Sequence, residues 1–198
     1  MLYLSANLIS AILLAVTISF YFFIYTIWLK RKTAQNIVIG GAAGALPPVI
    51  GWAVAMNNIS IEPIIMFLII FIWTPSHFWA LSLYKFKDYE KAKIPMLPIT
   101  AGIKKTKLYI LVYAIFMLPV VITPFFIGFG SIVYLSLSLG MTIYYINLCY
   151  LLFKTKTVSK SNSIARKVFV YSIFYLFFLF LLILFDNLFK LNEIIRFF

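Results

Sequence analysis

The chain has 198 residues, 64% of them hydrophobic and 19% aromatic, with a mean hydropathy of +1.05 and a formal charge of +12. These values lie far outside the range of soluble domains and mark an integral membrane protein. Nucleic-acid binding is excluded as the meaning of the charge, because the basic residues sit in short loops between apolar runs, where they report topology and attract anionic lipid.

Charge-free runs cover residues 1–29, 33–61, 63–84, 108–153 and 168–185. A helix needs roughly 20 apolar residues to cross the hydrocarbon core, so the long fourth run must fold back on itself. Its break is placed at Gly128-Phe129-Gly130-Ser131, where two glycines relax the backbone. The expected fold is all-α, a polytopic bundle in one transmembrane domain, with six spans near 4–28, 37–56, 63–83, 108–127, 132–152 and 169–188. The spans are continuously apolar rather than alternating, which excludes a barrel.

The first span has no basic region before it and is longer than a signal core, so it reads as an anchor inserted with its amino terminus outside. The second carries Gly40-Gly41-Ala42-Ala43-Gly44-Ala45 followed by Pro47-Pro48, a small-residue face for close helix packing and then a kink. The third holds Pro75, which leaves a backbone carbonyl without its donor; Thr74, Ser76 and His77 are placed to compensate. His77, the sole histidine, is therefore read either as a partner of the broken backbone or as a ligand contact facing a cavity. With no second histidine beside it, a protein-only metal site is not expected there. Cys149 in the fifth span has no partner for a disulfide.

The stretch from Trp73-Thr74-Pro75-Ser76-His77-Phe78-Trp79 through Tyr84 into Lys85-Phe86-Lys87-Asp88-Tyr89-Glu90-Lys91 carries two of the five acids. The other three are Glu62 and Glu193, read as lying outside, and Asp186 at a span end. An aromatic span thus empties into dense mixed charge. The cluster reads either as a solvated loop with local ion pairs or as a site where one carboxylate holds Mg²⁺ against a diphosphate while lysines neutralise the rest. Lysines and arginines number three in residues 30–36, seven in 84–107 and five in 154–167, against Lys190 and Arg196 on the other side. Fifteen against two puts the charged loops on the cytoplasmic face or its organellar equivalent.

Four ordered motifs carry a resemblance. Tyr25-Thr26-Ile27-Trp28-Leu29-Lys30-Arg31, the Asn36 to Trp52 segment with its glycines and Pro47-Pro48, the Trp73 to His77 segment, and Lys87-Asp88-Tyr89 leading to Ile94-Pro95-Met96-Leu97-Pro98 together resemble the protoheme IX farnesyltransferases, or haem O synthases, of the UbiA-type intramembrane prenyltransferases. The resemblance implies a bundle of nine spans around a membrane-open cavity, and transfer of a farnesyl group from farnesyl diphosphate to a vinyl group of haem B. Asp88 matches the family's second acidic motif. It is expected to bind diphosphate through Mg²⁺, with Lys91 beside it in the catalytic cluster and Lys85, Lys87, Lys30 and Arg31 as diphosphate contacts. Trp73, Phe78 and Trp79 are expected to line the prenyl or porphyrin cavity, and His77 to lie near haem, at the iron or a propionate.

The family's earlier motif, Asn-x-x-x-Asp-x-x-x-Asp, has no counterpart in this sequence, and Met1 falls where the family chain nears its fourth span. The expectation is therefore a carboxy-terminal portion lacking about three helices, inactive unless a separate chain supplies the missing motif. A UbiA-type enzyme with another aromatic acceptor, or a non-catalytic membrane subunit, are the alternatives.

Overall fold

Proline, glycine and a few buried polar groups set where this chain turns. The computed structural model describes residues 2–191; Met1, Glu193 and Arg196 lie outside the described residues. Among the described residues, six helices are long and apolar enough to cross a membrane: Leu8–Leu29, Asn36–Met56, Ile61–Tyr84, Ile103–Phe126, Ile132–Lys154 and Val158–Leu188, the first to sixth spans below. The protein is a multi-pass integral membrane protein.

The first span starts at Asn7, whose Oδ1 accepts from the Ser10 amide while its Nδ2 donates to the Ala53 carbonyl at 2.7 Å. One side chain thus caps a helix and ties it to the second span. From Phe20 to Leu29 the winding widens to a π-helix, with the Lys30 amide reaching back to Tyr25 at 2.9 Å. The second span is two helices, Asn36–Ala45 and Pro47–Met56, joined at Leu46. Pro47 and Pro48 lack amide protons and begin the second segment, which accounts for the break. Glycines bring the backbones close: a Cβ at Gly40 would lie 2.3 Å from the Tyr25 ring, and one at Gly41 would lie 2.9 Å from the Thr74 methyl. The small-residue face therefore serves two neighbours at once, the first span and the third.

The fourth and fifth spans divide where two glycines were expected to break the run. Gly128 adopts φ +76°, and the Ser131 hydroxyl caps the fifth span by accepting from the Val133 and Tyr134 amides. Asp186 of the sixth span closes this turn, accepting from the Ser131 amide and, at 2.5 Å, from its hydroxyl. A carboxylate at a helix N-terminus is favourably placed, and two charge-assisted bonds compensate its burial.

The helices run longer than the charge-free runs. The fourth begins at Ile103 instead of 108 and the sixth at Val158 instead of 169. Lysine and arginine are good helix formers, so the helices extend past the apolar segment and carry Lys104, Lys105, Lys107, Lys160, Arg166 and Lys167 within their first three turns. Loss of hydropathy ends the membrane segment without ending the helix.

The third span is central and packs against the second, fourth and sixth, while the fifth joins the fourth to the sixth. The sixth span turns Ser161, Ala165, Val168, Ser172, Tyr175, Leu179, Ile183 and Asp186 inward, a spacing of three and four residues that keeps one face buried. Lipid tails are as apolar as leucine, so the interfaces are held by packing and by interhelical hydrogen bonds. The Tyr175 hydroxyl lies 2.8 Å from Thr142, the Tyr145 hydroxyl 2.8 Å from Ser76, and the Tyr134 hydroxyl donates to the Val121 carbonyl. The first span packs chiefly on the second and leaves most of its surface exposed.

Gly40→Val is expected to destabilise the bundle by about 1–3 kcal/mol through overpacking against Tyr25. Thermal unfolding in detergent checks this, and adding Tyr25→Ala in the same chain should recover part of the loss.

Candidate functional site

Pro75 sits inside the third span, and the side chains around it bond in three different directions. Thr74 Oγ1 donates to the Ile70 carbonyl at 2.7 Å and Ser76 Oγ to the Trp73 carbonyl at 3.0 Å. These flank Phe71, the residue whose carbonyl loses its donor to the proline. His77 does not repair the helix. Its Nδ1 lies 2.7 Å from Ser172 Oγ on the sixth span, and Trp73 Nε1 donates to the Ser172 carbonyl at 2.8 Å.

The hydroxyl of Ser172 settles the histidine's tautomer. Ser172 Oγ donates its single proton to the Phe169 carbonyl at 2.6 Å, so it can only accept from His77. Nδ1 therefore carries the proton and Nε2 keeps its lone pair. The ring is held between Trp73, stacked at 4.1 Å, and Phe169, stacked at 4.6 Å, with Phe78 edge-on at 5.1 Å. A histidine fixed at Nδ1 by a hydrogen bond and clamped on both faces presents Nε2 in one orientation, the arrangement suited to a metal or a proton.

Two concavities meet at Trp73. One, of about 290 Å³, lies among the first three spans and is lined by Tyr21, Tyr25, Gly40, Gly41, Gly44, Ile70, Trp73, Thr74 and Phe78. Gly44 meets no neighbour within 4 Å at its Cβ position, so the glycine face leaves room as well as contact. The other, of about 700 Å³, is an apolar groove between the third and sixth spans, running from Met66 and Trp73 to Phe177 and Phe180. Its rim residues Ile173, Phe177 and Leu184 are exposed, so it opens on the outside of the bundle.

The charged segment forms a short helix, Phe86–Lys91, just beyond the third span. Lys85 Nζ pairs with Asp88 Oδ2 at 3.2 Å, both side chains well exposed, an ion pair that contributes little stability in water. Burial first, then Tyr84 and Asp88, hold the Tyr89 hydroxyl above the usual tyrosine range, so it stays a neutral donor beside the carboxylate.

The structure thus brings Trp73, His77 and Phe78 together, and Asp88 with Lys85. Lys30, Arg31, Lys87 and Lys91 are exposed at the same end of the bundle and make no ion pair with an acid among the described residues. Trp79 stands apart, buried against Tyr109 and Tyr113 of the fourth span at 6.0 and 5.4 Å. Two residues beyond His77, it is turned about 200° round the helix and faces the bundle core. Sequence reasoning missed Ser172 and Phe169, and named Tyr25 only as part of a motif, without a place in the site. Ser172 had a signal, since it is the one polar residue without an aromatic ring between Val168 and Phe185.

Residues 1–182 match the UbiA prenyltransferase family. The chain belongs to this family. It is 61% identical over 183 residues to a protein of Pelagibacter ubique named protoheme IX farnesyltransferase, covering 92% of this chain and 60% of that protein. Proteins of the same name from Parvibaculum lavamentivorans and Rickettsia akari are 47% and 51% identical, covering 92% and 91% of this chain and 57% and 58% of theirs. The chain spans about three-fifths of the length of these curated relatives. No solved structure matches it.

Because His77 is the sole histidine, a chain labelled with ¹⁵N-histidine gives one pair of ring nitrogen signals. Long-range proton–nitrogen correlation is expected to show the Nδ1–H tautomer in the native protein and a mixture in Ser172→Ala. That variant leaves a buried donor unpaired and should cost about 1–3 kcal/mol.

Proposed function

We propose that this chain serves transfer of the farnesyl group of farnesyl diphosphate to a vinyl group of haem B, giving haem O. The observation that carries the reading is the match, over nine-tenths of the chain, to relatives named protoheme IX farnesyltransferase. The geometry supports a division of labour along the third span and its short charged extension.

Departure of a diphosphate leaves an allylic cation that bulk water would intercept. The site must hold the leaving charge at one point and keep the carbon dry at another. Asp88 and Lys85, with Lys87, Lys91, Lys30 and Arg31 at the same end, are assigned to the diphosphate. The concavity under Tyr25 and Trp73 is assigned to the prenyl chain, where aromatic faces also favour a nearby cation. His77, with Nδ1 held by Ser172, is assigned to the haem side. An Nε2 lone pair suits iron, whereas a propionate would need a proton there.

The described residues hold no cluster of three or more metal-ligating side chains. One exposed carboxylate fits Mg²⁺ only where the ion takes its remaining ligands from diphosphate oxygens and water, as Mg²⁺ commonly does. Asp88 would hold it, and when bound it would neutralise charge on the leaving diphosphate. The family's earlier acidic motif, which has no counterpart in this sequence, is assigned to a separate chain. The gathering of basic residues at one end supports a cytoplasmic or matrix orientation for the Asp88 face.

In liposomes supplied with Mg²⁺, Asp88→Ala is expected to weaken farnesyl diphosphate binding by about tenfold, the scale of one charged hydrogen bond. His77→Ala should leave that affinity unchanged and alter the Soret band of added haem B instead. With a chain that carries the earlier acidic motif added to the same liposomes, haem O formation, followed by mass spectrometry, should fall in both variants. Unaltered diphosphate affinity in Asp88→Ala would favour a non-catalytic role for the charged helix.

A further inference from the structure

A third cavity, of about 660 Å³, lies at the basic end of the bundle, where the third span ends and the fourth, fifth and sixth meet. It belongs to a different face of the third span from the site above. Leu83, which lines it, stands one turn beyond Trp79 and therefore shares the face that turns toward the fourth span.

Four lysines border this cavity, Lys104, Lys107, Lys154 and Lys156, and no acid does. Lys107 is 6% exposed, and its Nζ donates to the Thr155 carbonyl at 2.7 Å, capping the end of the fifth span. That accounts for one of three ammonium protons. No acid lies within ion-pair distance of Lys107 among the described residues, so a buried cation stands at the cavity without a counter-charge. Two helix N-termini converge on the same space. The fourth span begins after Gly102 and the sixth after Thr157, neither has a side-chain cap, and their first residues, Ile103 with Lys104 and Val158, line the cavity. Uncapped amides carry positive partial charge, and here they belong to helix starts that border the cavity. Leu83 and Phe153 add an apolar wall on the membrane side.

We propose that this cavity is a binding site for a phosphate-bearing anion, seated between the two helix N-termini and Lys107 and closed by Lys104, Lys154 and Lys156. A phosphate oxyanion supplies the missing counter-charge and accepts from both lysines and backbone amides. The apolar wall matches the headgroup of an anionic phospholipid with its acyl chains on Leu83 and Phe153; free pyrophosphate shares the oxyanion chemistry without that wall.

Native mass spectrometry of the purified chain in neutral detergent, titrated with phosphatidylglycerol or phosphatidylcholine, tests the site. Phosphatidylglycerol should be retained preferentially, and Lys104→Ala with Lys156→Ala should lower its affinity by about thirtyfold, on the scale of 1 kcal/mol per lysine. Both side chains are exposed, so the fold, followed by circular dichroism, should be unchanged; Lys107→Met, if folded, should lose more. The pair Lys93→Ala with Lys160→Ala removes the same charge outside the cavity and should have little effect. Displacement of the lipid by inorganic pyrophosphate, dependent on Lys104 and Lys156, identifies a soluble anion as occupant of the same site. Equal loss in both lysine pairs, or binding of neither probe that depends on Lys104 and Lys156, overturns the proposal.

Discussion

Ser172 holds the third and sixth spans together at the point where the protein concentrates its chemistry. Its carbonyl accepts the Trp73 indole proton and its hydroxyl accepts the His77 proton while donating to Phe169. In lipid no water is available to replace such a partner, so every polar group at that depth must be satisfied by another helix or by its own. This single residue on a neighbouring helix therefore sets the tautomer of the only histidine, the plane of its ring and the position of Trp73, which is shared by two concavities.

The same constraint organises the rest of the bundle. Tyr145 on Ser76, Tyr175 on Thr142 and Tyr134 on Val121 are interhelical or turn-bridging bonds between fully buried groups. At the end away from the basic loops, Asp186 closes the turn before the fifth span, and Asn187 adds a bond to the Phe129 carbonyl. At the basic end, Lys107 caps the fifth span through Thr155. Polar side chains thus act as fasteners at three depths, and each ties residues far apart in the chain. The glycines of the second span do the complementary work, allowing Tyr25 and Thr74 to approach from opposite sides and leaving a cavity where no neighbour reaches Gly44.

Charge is distributed with equal economy. The described acids are few, and two of them stand on the short helix next to the third span, where Lys85 pairs with Asp88. Basic side chains gather around that end, some in solvent and one, Lys107, buried. This separation of an apolar aromatic interior from an exposed cationic rim suits the proposed role, in which a leaving diphosphate would be held at one end and the reacting carbon sheltered from water at the other.

Composition and periodicity alone determined the solvent, the six spans, the turn at Gly128 to Ser131, the break at Pro47-Pro48 and the side of the bundle that carries charge, because each follows from local hydropathy or local backbone chemistry. Asp88 beside Lys85 was legible for the same reason, being neighbours on one turn. The tertiary structure alone decided which side chains meet: that His77 bonds Ser172 instead of its own backbone, that Trp79 faces the core while Trp73 faces a cavity, and that four lysines and two helix starts surround one space. Those outcomes depend on the rotation of each helix about its axis, and that rotation is fixed only when neighbouring helices satisfy one another's buried polar groups.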